Sequence, residues 1–175
     1  KKKKKPPAEV LIAGSSSING GIGFLLQREL RARGYSTRRY AKSSSGFARP
    51  DFFDWVKEVP KLPGLADVKA VIVYAGVNDG QSVWLHKPER GGKKKKNKWI
   101  YFKYEDRWSK VYEGRVHAFV DALCKAGVER VVLLSPNDVV PKKAQSRMGR
   151  VRALQERAAR ETSCGVAIAT TGDAE

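Results

Sequence analysis

Three consecutive serines, Ser15, Ser16 and Ser17, stand between an apolar segment and a glycine-rich stretch in GSSSINGG, residues 14–21. A serine hydroxyl becomes a nucleophile when a base lies beside it and N–H donors face the oxyanion that forms. The loop lacks the Lys-Ser/Thr pair of a P-loop and the spacing of GxGxxG, so a phosphate or nucleotide site at the next helix N-terminus is the remoter hypothesis. A tight turn that needs small residues is the purely structural alternative.

Two further polar loops carry donors of the kind that bind an oxyanion. Gly46 ends the run SSSG at residues 43–46, where its backbone N–H can point into a site. Asn78 and Asp79 follow the apolar segment VKAVIVYAG, so the Asn78 amide can point the same way. A serine hydroxyl together with a glycine N–H and an asparagine amide matches the donor set of an oxyanion hole.

Strands that alternate with helices must position these loops. Short segments rich in apolar and β-branched residues predict strands at 9–13, 35–41, 68–76, 129–136 and 165–170. Apolar residues at helical spacing predict helices at 22–33, 105–126 and 141–162, and a short helix is predicted to begin at Pro50. Residues 82–103 predict a β-hairpin insertion with a Lys-rich tip.

This alternation is typical of an α/β domain with a parallel sheet of five strands and helices on both faces. The carboxyl ends of parallel strands meet at one edge, where the ligand sites of such sheets lie. The loops after the first four predicted strands all carry polar residues or glycine and open at that edge. The topology alone therefore predicts a site there.

The chain of 175 residues has the length of one domain, placed at 9–175 after a basic tail at 1–8 that we expect to be disordered. Much of its net charge of +17 lies in Lys1–Lys5 and in the Lys-rich stretch 93–98. These patches favour either solubility or contact with an anionic surface, such as an acidic polysaccharide or an anionic lipid. No nucleic-acid motif accompanies the charge, which makes nucleic acid an unfavoured partner, and no apolar run is long enough to span a membrane.

Cys124 and Cys164 each end a predicted helix just before a strand. Right-handed crossovers that proceed in one direction place both helices on one face of the sheet, so the two sulfurs can be neighbours at its amino edge. A disulfide would indicate an oxidising compartment, and two buried free thiols are the alternative. Two cysteines without a CxxC pair do not build a zinc site on their own.

Three motifs resemble the SGNH (GDSL-type) hydrolase superfamily, and within it the bacterial periplasmic branch related to DUF459. They are GSSSING at 14–20, SSGFARPDFFDW at 44–55 and GVNDGQ at 76–81. The resemblance covers about residues 9–173 and implies a flavodoxin-like three-layer α/β/α fold. It also implies hydrolysis or transfer of esters, often O-acetyl groups on carbohydrate or cell-envelope polymers, without a metal or cofactor and in the periplasm or another extracytoplasmic compartment.

Carried over position by position, the resemblance assigns Ser16 as the nucleophile. The Ser16 N–H, the Gly46 N–H and the Asn78 amide take the oxyanion role. Ser15 stands where the family carries an Asp, and a shift of register would make Ser17 the nucleophile. The residues expected to line the site are Ser15, Ser17 and Asp79.

The base that a serine nucleophile needs is a second departure from the family. The family's D-x-x-H after the fifth strand is absent, since Asp173 is followed only by Ala174 and Glu175. The two histidines are His86, expected on the surface of the hairpin, and His117, expected to be structural on a helix. We therefore expect either a chain that lacks its C-terminal block with the catalytic His or a degenerate member that binds without catalysis.

Two functions from different classes follow. The first is a serine esterase or O-acyltransferase that forms an acyl-enzyme on Ser16, with an O-acylated carbohydrate or envelope polymer as its partner. The alternative is a catalytically inactive SGNH-like binding module that docks an anionic polymer through its Lys patches.

Overall fold

The computed structural model describes residues 9–85, 98–136 and 142–168, without the side chains of residues 98 and 142–146. Five of its strands form one parallel sheet in the order β2-β1-β3-β6-β7. The strands of this sheet are β1 (Val10–Gly14), β2 (Thr37–Ala41), β3 (Ala70–Tyr74), β6 (Arg130–Leu134) and β7 (Gly165–Ile168). The order is that of doubly wound flavodoxin-like sheets, so the predicted α/β fold with its five-stranded parallel sheet is confirmed.

Strand β1 forms the centre of the sheet because its segment VLIAG is buried throughout, as expected for a parallel strand covered on both faces. It pairs with β2 on one side and with β3 on the other. Gly14, the last residue of β1, stands opposite Ala41 of β2 and Tyr74 of β3. The three strands therefore end level, and their following loops begin at the same edge.

Helices cover the sheet on both faces and make three layers. The helices are α1 (Ser16–Asn19), α2 (Gly21–Ala32), α3 (Trp55–Glu58), α4 (Glu105–Lys125) and α5 (Lys142–Arg160). One face carries a small core in which Ile12 and Ile18 contact Ile22 and Leu26 of α2. The other face carries the main core, where buried side chains of α3, α4 and α5 pack against the sheet.

A two-stranded antiparallel ribbon follows β3, formed by β4 (Val83–Leu85) and β5 (Lys98–Ile100). Trp84 stands opposite Trp99, and the two rings make an edge contact with centroids 4.9 Å apart. These strands are the arms of the predicted hairpin. Its Lys-rich tip lies outside the described residues. The predicted basic tail at 1–8 and the segment Asp173–Glu175 also lie outside them.

The predicted helix at Pro50 is wrong in its start. The chain turns at Arg49, whose carbonyl accepts from the N–H groups of Phe52 and Phe53, and α3 begins only at Trp55. Asp54 supplies the reason, because its side chain accepts from the first N–H groups of α3, as a helix N-cap does.

The two cysteines are bonded to each other. Cys124 at the end of α4 and Cys164 just before β7 form a disulfide with Cα atoms 5.7 Å apart. Their helices pack side by side on one face, as right-handed crossovers require. Within the described residues, none of the helices has both the length and the apolar character that crossing a membrane would take.

Candidate active site

The loops after β1, β2 and β3 meet at one edge of the sheet. Hydrogen bonds join them directly: the Lys42 N–H donates to the Gly14 carbonyl at 2.9 Å, and the Ser15 N–H donates to the Tyr74 carbonyl at 3.1 Å. The order in which strands are added to the sheet reverses here, since β2 lies on one side of β1 and β3 lies on the other. This switch point is the place where sheets of this type bind their ligands.

The serine loop leaves β1 through a close approach of backbones. A Cβ on Gly14 would lie 2.0 Å from the Tyr74 carbonyl oxygen, so only glycine fits. Ser15 is buried, whereas Ser16 is exposed as the first residue of α1. Ser16 is thus the first hydroxyl of the run that solvent reaches, with its N–H in the first turn of a helix, where backbone donors lack intrahelical partners.

Asn78 lies against the second loop. Its Nδ2 donates to the carbonyl of Ser45 at 3.0 Å, which places the amide beside Gly46. Ser45 is itself buried, and its Oγ accepts from the indole N–H of Trp55 at 3.2 Å. The backbone on the amino side of Gly46 is therefore held by one side chain from the loop after β3 and by one from α3.

Asp79 holds the backbone on the other side of Gly46. Its carboxylate accepts from the N–H groups of Phe47 at 2.9 Å and Ala48 at 3.0 Å. It also accepts from the hydroxyl of Tyr112 at 2.8 Å. Burial raises the pKa of the Asp79 carboxyl, and the hydrogen bonds from these three donors oppose that rise. Asp79, which the sequence predicts to line the site, lies beneath the loop as its anchor and is only 1% exposed.

The hydrogen-bond chain continues inward from Tyr112. Its hydroxyl accepts from the Gln155 side-chain amide at 3.0 Å, and the same amide donates to the Ala75 carbonyl at 2.9 Å. Burial raises the pKa of Tyr112 well above its ordinary value, and Asp79 adds to the rise. Tyr112 therefore stays a neutral hydroxyl donor to Asp79.

Arg115 of α4 binds the carbonyls of the same two residues whose N–H groups Asp79 binds. Its Nη1 donates to the oxygens of Phe47 at 3.3 Å and Ala48 at 3.1 Å, and its Nη2 donates to the carbonyl of Trp84. Burial lowers the pKa of Arg115, and nearby carboxylates oppose this. The guanidinium thus connects the loop to the β4–β5 ribbon.

Gly46 lies between these bonded residues, and its own backbone N–H is unpaired among the described residues. It is buried, and a Cβ there would lie 2.0 Å from Asp79 Oδ1, so a side chain has no room. Its neighbours Ser45, Phe47 and Ala48 are all engaged, yet among the described residues no acceptor takes the Gly46 N–H. A fixed, unpaired backbone donor at a ligand-binding edge can bind an anionic or carbonyl oxygen.

The structure brings some of the predicted site residues together and places others elsewhere. Gly46, Asn78 and Asp79 are brought together, and the serine loop starts at the neighbouring strand end. His117 instead lies in a groove with Glu113 and Arg157, whose lining includes no residue of the loops after β1, β2 or β3. His86 lies outside the described residues.

Tyr112 and Arg115 are the structural contributors that the sequence did not predict as part of the site. Both lie on α4, where helical spacing places Tyr112 on the apolar face and gives no sign of its contact with a residue 33 positions away. In the described part of the chain, no three His, Cys, Asp or Glu side chains are grouped as metal ligands would be.

The fold and this edge define a class: a flavodoxin-like α/β domain whose candidate site lies at the switch point of the sheet. The model of the family described as "Protein of unknown function (DUF459)" matches residues 9–173, so the chain belongs to that family. The comparison with curated proteins found no matching relative.

Proposed function

We propose that this chain is an SGNH-type serine esterase or O-acyltransferase that reacts through Ser16. The observation that carries the proposal is the unpaired, rigidly held Gly46 N–H beside the Asn78 amide, at the strand edge where Ser16 is exposed. Membership of the DUF459 family and the motifs of all three loops support it.

In the proposed reaction, the Ser16 Oγ attacks the carbonyl carbon of an ester, and the carbonyl π electrons move onto its oxygen. The Ser16 N–H, the Gly46 N–H and the second hydrogen of the Asn78 amide donate to that oxyanion. Its collapse releases the alcohol and leaves an acyl group on Ser16, which water or an acceptor hydroxyl then removes. A general base must take the Ser16 proton and return it to the departing alcohol. Among the described residues, no histidine lies at this edge.

The substrate that we propose is an O-acylated, and chiefly O-acetylated, carbohydrate or envelope polymer outside the cytoplasm. The disulfide between Cys124 and Cys164 supports the compartment, because such bonds persist in oxidising environments such as the periplasm.

Hydrolysis of p-nitrophenyl acetate tests the nucleophile. We expect Ser16→Ala to reduce the rate to that of buffer, while Ser17→Ala, a neighbouring hydroxyl removed in the same way, retains it. Activity lost in Ser17→Ala but kept in Ser16→Ala would move the nucleophile by one position. Equal rates in the wild type and in both variants would remove the serine mechanism.

The second candidate is a catalytically silent module that binds an anionic polymer. The net charge of +17 favours it, as does the lack of an assigned base among the described residues. It predicts no serine-dependent hydrolysis and a binding affinity that depends steeply on salt.

A further inference from the structure

A cleft of about 550 Å³ opens beside the Gly46 loop, and neither Ser45 nor Asn78 is among its lining residues. Gly46 itself lines it, so a ligand in this cleft would contact the residue that carries the candidate oxyanion donor. Its volume lies within the range of small-molecule sites. The serines at 15–17 do not line it, which makes it a separate region next to the reacting groups.

Aromatic rings form much of the wall of this cleft. Phe47 and Trp55 are nearly fully buried and form its base, whereas Phe53 and Trp84 remain partly exposed. Phe53 and Trp55 hold each other in an edge contact with centroids 5.0 Å apart. Such rings offer flat, apolar surfaces with fixed orientation.

The charged groups of the cleft balance. Asp51 and Asp54 stand against Lys57 and Arg115, so the cleft is formally neutral within a chain of net charge +17. Asp51 accepts from Arg49. Asp54 Oδ1 accepts from backbone N–H groups of α3, and its Oδ2 forms an ion pair with Lys57 at 3.6 Å. Each carboxylate keeps lone pairs for a further donor. The Arg115 guanidinium has further N–H groups beyond its three bonds to carbonyls.

These features select among ligands. A long acyl chain would cover the remaining lone pairs of the two carboxylates with hydrocarbon and offer them no further donor, which is unfavourable. A phosphate or other anion would be attracted by Lys57 and Arg115 but repelled by Asp51 and Asp54, so the neutral lining does not favour it. A neutral ring with several hydroxyls satisfies both parts of the lining, because its C–H face packs on an aromatic ring while its hydroxyls donate to the carboxylates.

We propose that the cleft is a subsite for one neutral sugar ring, with Trp84 as its stacking platform and Asp54 as its hydroxyl acceptor. The inference rests on the proposed function for the reaction that follows binding, but not for the binding itself. A ring held there would present a substituent to the Gly46 N–H, which would account for the shared lining residue.

Binding to the full chain carrying Ser16→Ala tests the subsite without turnover. We would use saturation-transfer NMR with xylotetraose, cellotetraose and chitotetraose, each at about 10 mM, which saturates even a site with a Kd of about 1 mM. We expect at least one of them to bind, and Trp84→Ala to weaken it at least about tenfold. Trp99→Ala is the matched control, since Trp99 pairs with Trp84 across the ribbon but does not line the cleft, and it should retain binding.

Asp54→Asn provides a second variant that preserves the fold, because Asn also caps helices. We expect about tenfold weaker binding from the loss of a charged acceptor. Binding without ester hydrolysis in the wild type would uphold the subsite and reject the proposed function. Hydrolysis with no oligosaccharide bound, equal weakening by Trp84→Ala and Trp99→Ala, or binding of hexanoate in place of sugars would overturn the subsite.

Discussion

Two charged side chains, those of Asp79 and Arg115, fix the backbone that follows Gly46. Asp79 binds the N–H groups of the two residues after Gly46, and Arg115 binds the carbonyls of the same two residues. The space that a Cβ would need is occupied by Asp79 Oδ1 at 2.0 Å. The loop therefore depends on glycine at this position for a steric reason, independent of any requirement for a left-handed backbone.

Gly46→Ala should disturb the candidate site more than the fold. The added Cβ must displace Asp79 or the loop, so we expect the free energy of unfolding to fall by about 1–3 kcal/mol. Esterase activity should fall about a hundredfold, since a shift of about 1 Å in a catalytic donor has that effect. Urea unfolding and p-nitrophenyl acetate hydrolysis measure the two effects.

Gly114→Ala is the control for this substitution. Gly114 is exposed within α4, and a Cβ there meets nothing within 4 Å. This variant should gain about 0.5–1 kcal/mol of stability with unchanged activity. Normal hydrolysis by Gly46→Ala would contradict the role given to the loop.

Turn chemistry predicts part of the site from the sequence. Gly46 and Asn78 are residue types that follow strands for local reasons, and topology then brings their loops to one edge. The partners of Asp79 could not be predicted in this way. Its bonds reach residues 31 to 33 positions away on a loop and on a helix, and no local spacing encodes such contacts.

Strands and long helices could be predicted because burial leaves a periodic signal in them. The segment VLIAG of β1 is apolar at every position, and α4 carries buried residues at helical spacing from Trp108 to Leu123. The start of α3 could not be predicted from the sequence, because Pro50 is also favoured in turns. The N-cap bond that sets the start comes from Asp54. The four-residue helix α1 is too short to show a period.

The disulfide ties the last strand of the sheet to the longest described helix. Cys124 is the penultimate residue of α4, Cys164 directly precedes β7, and the bond closes a separation of 40 residues. Strand β7 pairs on its β6 side through four register positions, and Val166 and Ile168 remain exposed. The covalent link therefore supplements a strand that buries little apolar surface of its own.

Removal of this link should lower stability without altering the site edge. We expect the double variant Cys124→Ala, Cys164→Ala to lose about 4 kcal/mol in urea unfolding, from the entropy regained by the unfolded chain. The wild type with reductant should unfold at the same urea concentration as the variant. A midpoint that does not respond to reductant would show that the bond contributes nothing to stability.

At the scale of the whole molecule, the net charge of the chain is strongly positive, whereas the lining of the cleft is formally neutral. The chain carries +17, whereas the cleft beside Gly46 holds two acidic and two basic side chains. Contact with an anionic polymer and recognition of a neutral ring are therefore separable by ionic strength. Screening weakens the first and leaves the second nearly unchanged.

Affinity for heparin should consequently collapse with salt. Between about 0.1 M and about 1 M salt the Debye length falls from about 10 Å to about 3 Å, so we expect retention on a heparin column at the lower concentration and release at the higher. Ser16→Ala should elute with the wild type, because the proposed nucleophile is a neutral hydroxyl and takes no part in this charge contact. Passage through the column at about 0.1 M salt would reject the anionic-polymer module.

Because Asp79 and Arg115 bind the loop in the folded chain, the loop loses its conformational entropy during folding and not during ligand binding. The conformational entropy of residues 45–48 is lost when the chain folds, since the anchors come from β3's loop and from α4. In the proposed reaction, an ester beside Gly46 would meet a dipole that already has its final direction. Little reorganisation energy would then separate the free loop from the proposed state that binds an oxyanion, and the stability of the core would supply what substrate binding would otherwise have to provide.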